Sequence, residues 1–218
     1  MMGETAVAPG KENWNVLTAN HMNRILVIGT GNKHKVGEVA PLLSGLPIIL
    51  RAAGEYGPFH PDESGGTAEE NAIIKARAAL ALSGEWAIAD DTGLDIRALG
   101  GRPGIHAARY AGPRCDFDDN IRKVLGEMED VPDEQRTAAF FCVIALCRPG
   151  HAPLTFRGEC RGRICRRRQG SGGFGYDPIF LMDEMDKTFA ELSAEEKNRL
   201  SHRARAVTAC RRTLETLL

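Results

Sequence analysis

Asp90-Asp91-Thr92-Gly93 follows directly on the apolar run Trp86-Ala87-Ile88-Ala89. Two neighbouring carboxylates at the exit of a buried strand are a poor choice for stability, because like charges repel and an ionised group resists leaving water. They are a good choice for chemistry. In open α/β sheets ligands collect at the carboxyl ends of strands. Oxygen-rich clusters there suit Mg²⁺, which keeps several waters and takes one or two protein carboxylates together with substrate phosphates. Asp90 and Asp91 are therefore candidate catalytic residues, against the plainer reading of a solvated turn that caps the next segment. A second feature lies upstream. Gly29-Thr30-Gly31-Asn32-Lys33-His34-Lys35 joins a strand-like run to a helix-like one, so exposed backbone N–H groups, a helix N-terminus and two lysines make it a candidate anion site. Its spacing is not that of a Walker loop, and His34 stands where a dinucleotide fingerprint needs its third glycine. An ordinary tight strand-to-helix connection is the alternative.

Asn71 and Lys75 are four positions apart, so on a helix they share the face opposite Ile73. A solvated lysine is the plain alternative. Glu63, in the acidic loop ahead of that helix, is a further candidate ligand for the metal at Asp91. Near the C-terminus, Gly170-Ser171-Gly172-Gly173-Phe174-Gly175-Tyr176-Asp177-Pro178 sets glycines around two aromatics. Glycines let a backbone approach a ligand closely, and a presented aromatic stacks on a base for roughly 1–3 kcal/mol; a flexible turn carrying core aromatics is the alternative. Ser201-His202-Arg203 offers donors for a base edge, although Arg203 serves equally well to pair a surface acid. Lys187, after an acidic stretch, carries no signal by itself.

These residues need elements to hold them. Ile25–Ile28 reads as a strand, and Val36, Val39, Ala40 and Leu43 recur on one helix face, with Pro41 marking a kink or the last turn. A loop is expected from Pro47 to Gly66. Thr67-Ala68-Glu69-Glu70 reads as a capping box opening a helix with Ala72, Ile73, Ala76 and Leu80 inward. Phe117, Ile121, Val124, Leu125 and Met128 mark another helix. Ala138–Leu146 reads as a central strand, Leu154–Cys165 as one or two more, and Ile179–Leu181 as a short one. Ser193-Ala194-Glu195-Glu196 is a second capping box, before a terminal amphipathic helix through Leu200, Ala204, Val207, Leu214 and Leu218. Alternating strands and helices without a repeat predict an α/β fold with a mixed sheet, Leu154–Cys165 pairing antiparallel with its neighbour.

Composition narrows the partners. The 218 residues are 43% hydrophobic and 26% charged, an ordinary globular balance. Lys plus Arg number 28 against 29 Asp plus Glu, a net charge of −1. A protein that wraps long nucleic acid or an anionic membrane is usually basic, so the expected anionic partner is small and the Arg161–Arg168 run reads as a solvated face. No apolar run approaches the roughly 18 residues of a membrane span, and mean hydropathy is −0.26. The six cysteines are too sparse for a disulfide scaffold and form no C-x-x-C pair, which fits reduced packing thiols in the cytoplasm. Residues 1–21 carry neither a secretory nor an Arg-rich import pattern and are expected to be a disordered extension ahead of one domain, residues 22–218.

Taken together, the motifs resemble the inosine/xanthosine triphosphate pyrophosphatase family. The resemblance rests on Thr30-Gly31-Asn32 with Lys35, Glu70-Asn71-Ala72 with Lys75, Ala89 to Leu94, and Leu99-Gly100-Gly101-Arg102-Pro103-Gly104 with Ala108-Arg109-Tyr110. It continues through Gly172 to Pro178, Lys187-Thr188 and Ser201-His202-Arg203. They occur in the family's order from Arg24 to Leu218; Thr92 stands where a serine is usual, and residues 1–21 have no counterpart. The resemblance implies an elongated mixed β-sheet flanked by helices, with a nucleotide cleft between two lobes, and a homodimer. It implies Mg²⁺-dependent hydrolysis of ITP, dITP or XTP to the monophosphate and pyrophosphate. It assigns Thr30, Asn32, Lys35 and Thr92 to the triphosphate, with Gly31, Lys33, His34, Asn71 and Lys75 as further substrate-binding candidates. Glu63 and Asp91 fall to the metal, with Asp91 as proton acceptor. Phe174, Gly175, Tyr176, Asp177, Lys187, His202 and Arg203 fall to the base and sugar. Rival readings are a Maf-type pyrophosphatase, which the Phe174 loop and Ser201-His202-Arg203 disfavour, a non-catalytic nucleotide-binding module, and an RNA-binding protein using Arg161–Arg168.

Overall fold

The computed structural model describes residues 23–114 and 116–218; the expected extension 1–21, with Met22 and Cys115, lies outside the described residues. The β-branched run near the start forms β1 (Arg24–Ile28), followed by α1 (Lys33–Leu42). Asn32 caps α1, its side chain accepting from the His34 N–H, and Pro41 occupies the last turn. β2 (Ile48–Ala52) then pairs in parallel with β1, inside the segment expected to be loop. Five residues with Ile49 and Arg51 turned outward are too short and too alternating to stand out beside Pro47 and Gly54.

α2 (Ala68–Ser83) starts at Thr67, whose hydroxyl accepts from the Glu70 N–H. The Glu70 carboxylate accepts from Gly66 rather than Thr67, so the expected capping box is half formed. β3 (Trp86–Ile96) runs straight through the acidic pair and reaches the two-residue β4 (Pro103–Gly104) through a short 3-10 turn at Arg97–Leu99 and the glycines that follow it. α3 (Phe117–Glu127), β5 (Thr137–Cys147) and β6 (Leu154–Ile164) follow, β6 as a single strand. β7 (Phe180–Met182) and β8 (Lys187–Thr188) close the sheet. The terminal helix is two helices, α4 (Ala194–Leu200) and α5 (His202–Leu217). Ser201 breaks it, extended at φ −67° and ψ 161°, and caps α5 through its hydroxyl. The Ser193 capping box forms as read.

The eight strands make one open mixed sheet in the order β2-β1-β3-β5-β6-β7-β8, with β4 on β3. β1 is parallel to both neighbours, and every other pairing is antiparallel. β3, β5 and β6 have 11 residues each, about 36 Å of strand at the usual rise. α2 covers one face through Ala68, Ala72 and Ala76, packed on Ala89, Val143 and Ala145. α1 and α5 cover the other through Val39, Val207 and Leu214, packed on Ile28, Ile88 and Ile144. The far end of the long strands packs on Ile121 and Val124 of α3. Gly158 in β6 is what lets α5 begin so close to the sheet: a Cβ there would run into the His202 carbonyl and the Ala206 N–H.

Candidate active site

β3 creates the site by losing one neighbour before gaining another. β1 pairs with it only as far as Ile88, and β4 joins only at Leu94. Between them Ala89, Asp90, Asp91, Thr92 and Gly93 are paired with β5 alone. The acids therefore sit within the strand rather than at its exit. Successive strand residues point to opposite faces, which relieves the repulsion that an adjacent pair suggests. Asp90 follows Ile88 toward α1 and α5, while Asp91 follows Ala89 toward α2.

Asp90, 4% exposed, is saturated with donors. Lys35 lies at 2.9 Å, Arg203 donates from Nε and Nη2 at 3.2 Å each, and the Thr92 hydroxyl donates at 3.1 Å. Asp91 takes Lys75 Nζ at 2.6 Å on Oδ1, while its buried Oδ2 has no hydrogen-bond partner. Lys75 also stands 3.4 Å from Glu63. Asn71 holds the loop carrying Glu63, accepting on Oδ1 from the Gly65 N–H at 2.9 Å. Burial disfavours ionisation of both aspartates, with different results. At Asp90 Lys35 and Arg203 overcome it and hold the carboxyl well below the usual range; at Asp91 burial outweighs Lys75 and pushes the carboxyl up. Burial also works against the Lys75 ammonium, but Asp91, Asp90 and Glu63 together raise its pKa. Neighbouring groups with pKa values pushed apart are the pattern of separate acid–base roles. Asp90 is held as an anion, whereas Asp91 takes up a proton more readily than an exposed aspartate would. The unpartnered Asp91 oxygen and Glu63 fit a small oxygen-seeking cation that brings water or phosphate as its other ligands. Among the described residues no cluster of three or more His, Cys, Asp or Glu forms a complete metal cage.

A cleft lies on the Asp90 side of the sheet, lined by Asn32 and the Asp90 partners Lys35 and Thr92 at one end and by Phe174, Lys197 and His202 at the other. Glu38 of α1 ties the two ends together, bonded to Arg203 and lying 2.7 Å from Lys197. Lys197 is also held by Asp177 at 2.6 Å, and Asp177 in turn accepts from the Phe174 N–H at 2.8 Å. Burial pushes the Asp177 carboxyl up despite Lys197. His202, 3% exposed, stacks on Phe140 with ring centroids 4.7 Å apart, and both its ring nitrogens lack partners. Burial, with Arg203 and Lys197 nearby, holds its pKa well below the usual value, so the ring is neutral.

The other expected residues fall in distinct places. Phe174 stacks with His34 at 5.2 Å. Gly175 lines the cleft, and Tyr176 is buried with its hydroxyl donating to the Ala107 carbonyl at 2.8 Å. Thr30 accepts from the Asn32 N–H. Thr30, Gly31 and Lys33 also border a separate depression with Phe59 and His60. Lys187 is exposed, 3.4 Å from Glu196, and is not among the cleft-lining residues. Lys197 occupies the cleft instead. Following two acids in a helix, Lys197 looks in sequence like a solvated charge, whereas Glu38, one turn beyond Lys35, carries a weak positional signal. Phe117, one of the residues that mark α3 in the sequence, is 38% exposed and borders the cleft. The Arg161–Arg168 run is largely neutralised: Arg163 is near Asp186, Arg166 bonds Asp133 and Arg168 bonds Asp118.

The chain is similar to known proteins over most of its length. The chain is 48% identical over 183 residues to a protein of Geobacter sulfurreducens named dITP/XTP pyrophosphatase, covering 84% of this chain and 92% of that one. A Bacillus subtilis protein of the same name is 44% identical over 190 residues, 87% of this chain and 96% of its own. Among solved structures, a HAM1 protein from Coxiella burnetii superposes with a TM-score of 0.82 at 40% identity, covering 88% and 99% of the two chains. The Ham1 protein of Staphylococcus aureus superposes at 0.81 with 37% identity, covering 89% of this chain and 100% of that one. The model of the Ham1 family matches residues 26–213, the whole span from β1 into α5 that builds the cleft, and the chain belongs to that family.

Proposed function

We propose that the protein hydrolyses non-standard purine nucleoside triphosphates (ITP, dITP and XTP) to the monophosphate and pyrophosphate. The observation that carries this reading is a cleft in which Lys35 and Thr92, both held by Asp90, stand at one end and aromatic and cationic groups, Phe174 and Lys197, at the other. That polarity suits a molecule with an anionic tail and a flat head, and relatives of this chain carry the name dITP/XTP pyrophosphatase.

In this reading Lys35, Asn32 and Thr92 bind the phosphates, beside the N-terminus of α1. Asp91 accepts the proton of a water that attacks phosphorus, forming one P–O bond as the bond to pyrophosphate breaks. Its buried, raised carboxyl makes it a stronger base than an exposed aspartate. Asp90 stays ionised and holds Lys35, Arg203 and Thr92 in place. Asp91 and Glu63 would hold Mg²⁺, which, when bound, neutralises phosphate charge and so improves pyrophosphate as a leaving group. At the head of the cleft, Lys197 keeps a donor beyond those engaged by Glu38 and Asp177. Hypoxanthine and xanthine offer a 6-oxo acceptor to such a donor; adenine offers an amino donor and leaves it unpaired, at about 1–3 kcal/mol. A homodimer and a cytoplasmic location belong to the same proposal. The five described cysteines, all buried and unpaired, support a reducing compartment.

A panel of ITP, XTP, dITP, GTP, ATP and UTP with Mg²⁺, scored for pyrophosphate against orthophosphate, tests the reading. Pyrophosphate release from the first three with little from ATP is the expected outcome. Strong ATP cleavage, or orthophosphate as product, overturns it.

A further inference from the structure

We propose that Phe117 is a substrate-contacting residue, a second aromatic wall against which the flat base of a bound nucleotide packs; this rests on the purine-nucleotide reading of the cleft. Phe117 is the first residue of α3 and lies on the same stripe as Ile121 and Val124, at i, i+4 and i+7. Ile121 and Val124 are 2% and 0% exposed in the core, but one turn earlier the stripe has run past it and Phe117 is 38% exposed. Its ring overhangs the cleft, 6.2 Å from Phe174 and tilted 51° to it. A Cβ at Gly175 would lie 3.8 Å from the Phe117 ring, so the glycine loop and this ring are neighbours.

The other aromatics of the cleft are engaged. Phe174 stacks with His34 and has Lys197 at 4.8 Å over its ring. Phe140 packs on His202, Phe180 and Phe189, and Tyr176 is buried. Among the described residues, no ring stacks on Phe117 and no cation sits over it. Its position is nonetheless fixed. Asp116 caps α3, Asp118 pairs with Arg168 at 2.6 Å just before the glycine loop, and Asn120 donates to the Ala108 carbonyl at 2.9 Å. A rigidly mounted, partly exposed apolar face on the wall of a cleft already lined by Phe174 and Phe140 suits a flat heterocycle as ligand.

Titration calorimetry of wild type and Phe117→Ala with ITP and with inorganic tripolyphosphate, which has no base, tests the assignment, alongside kcat and KM for ITP. The expected result is an affinity for ITP about tenfold weaker in Phe117→Ala, with kcat within about twofold, tripolyphosphate binding unchanged and Phe117→Tyr restoring the affinity. Unchanged ITP affinity in Phe117→Ala, or an equal loss for both ligands, overturns it. Wild type that binds ITP without hydrolysing it sinks the pyrophosphatase reading alone, since the affinity ratio still decides the role of Phe117. Wild type that binds no ITP overturns both.

Discussion

Replacing Asp90 with asparagine keeps the shape of the side chain and removes only its charge. Three donors lose their anion at once: Lys35, Arg203 and the Thr92 hydroxyl. Breaking a buried ion pair from one side costs about 3–5 kcal/mol. Two features put Asp90→Asn at the lower end. Arg203, itself 2% exposed, keeps Glu38 as a counter-charge, and Lys35, at 18% side-chain exposure, keeps part of its hydration. The expected loss is about 3 kcal/mol, a large share of the 5–15 kcal/mol typical of a folded domain, and lowers Tm by about 6–12 °C. Urea unfolding at neutral pH, followed by tryptophan fluorescence, measures it. The gap should also depend on pH. Because the folded state holds the Asp90 carboxyl below its unfolded value, its stabilisation is complete above about pH 4 and is lost as the pH falls further. Wild type and variant should therefore converge in acid. A variant within 1 kcal/mol of wild type at pH 7 would refute the idea that Asp90 is an electrostatic anchor.

Asp91→Asn should cost less stability than Asp90→Asn, because its carboxyl is already disfavoured by burial and the buried Lys75 that it leaves behind retains Glu63. Turnover falls at least about 100-fold while nucleotide binding persists, since a repelling charge is gone; steady-state kinetics with a binding titration checks both. His202 gives a pH signature. It stays neutral in the fold but protonates in the unfolded chain below about pH 6.5, so from this group stability declines as pH drops, by up to about 1.4 kcal/mol per unit. His202→Gln should flatten the wild-type slope between pH 7 and 5 in equilibrium unfolding; parallel slopes count against a buried neutral imidazole.

Strand and helix periods in the sequence foretell the mixed sheet and most helices, because those elements bury apolar stripes against one another. What escapes local reading is governed by distant partners. β3 looks as if it should stop at Ala89, since a charged pair is a poor strand interior; it continues because Arg203 and Lys35 neutralise one acid and Lys75 the other. Arg203 is 113 positions from Asp90, a separation that propensity and spacing do not register. The contrast between Lys187 and Lys197 has the same origin, since only tertiary packing decides which lysine is drawn inward by Asp177 and Glu38. Ser201 hides the break between α4 and α5 because a serine inside an amphipathic pattern reads as tolerated until its extended backbone is seen.

The reach of that wiring has a bearing on how the molecule is made. The partners of Glu38 and Asp90 in α4 and α5 are made long after them, Arg203 following Asp90 by 113 positions and Glu38 by 165. A growing chain has its central strands long before it has Lys197, His202 and Arg203, so Asp90 waits with Lys35 and the Thr92 hydroxyl. The cleft therefore comes into being only once α4 and α5 have been added, and a cut between β8 and α4 would take away Lys197, His202 and Arg203 together.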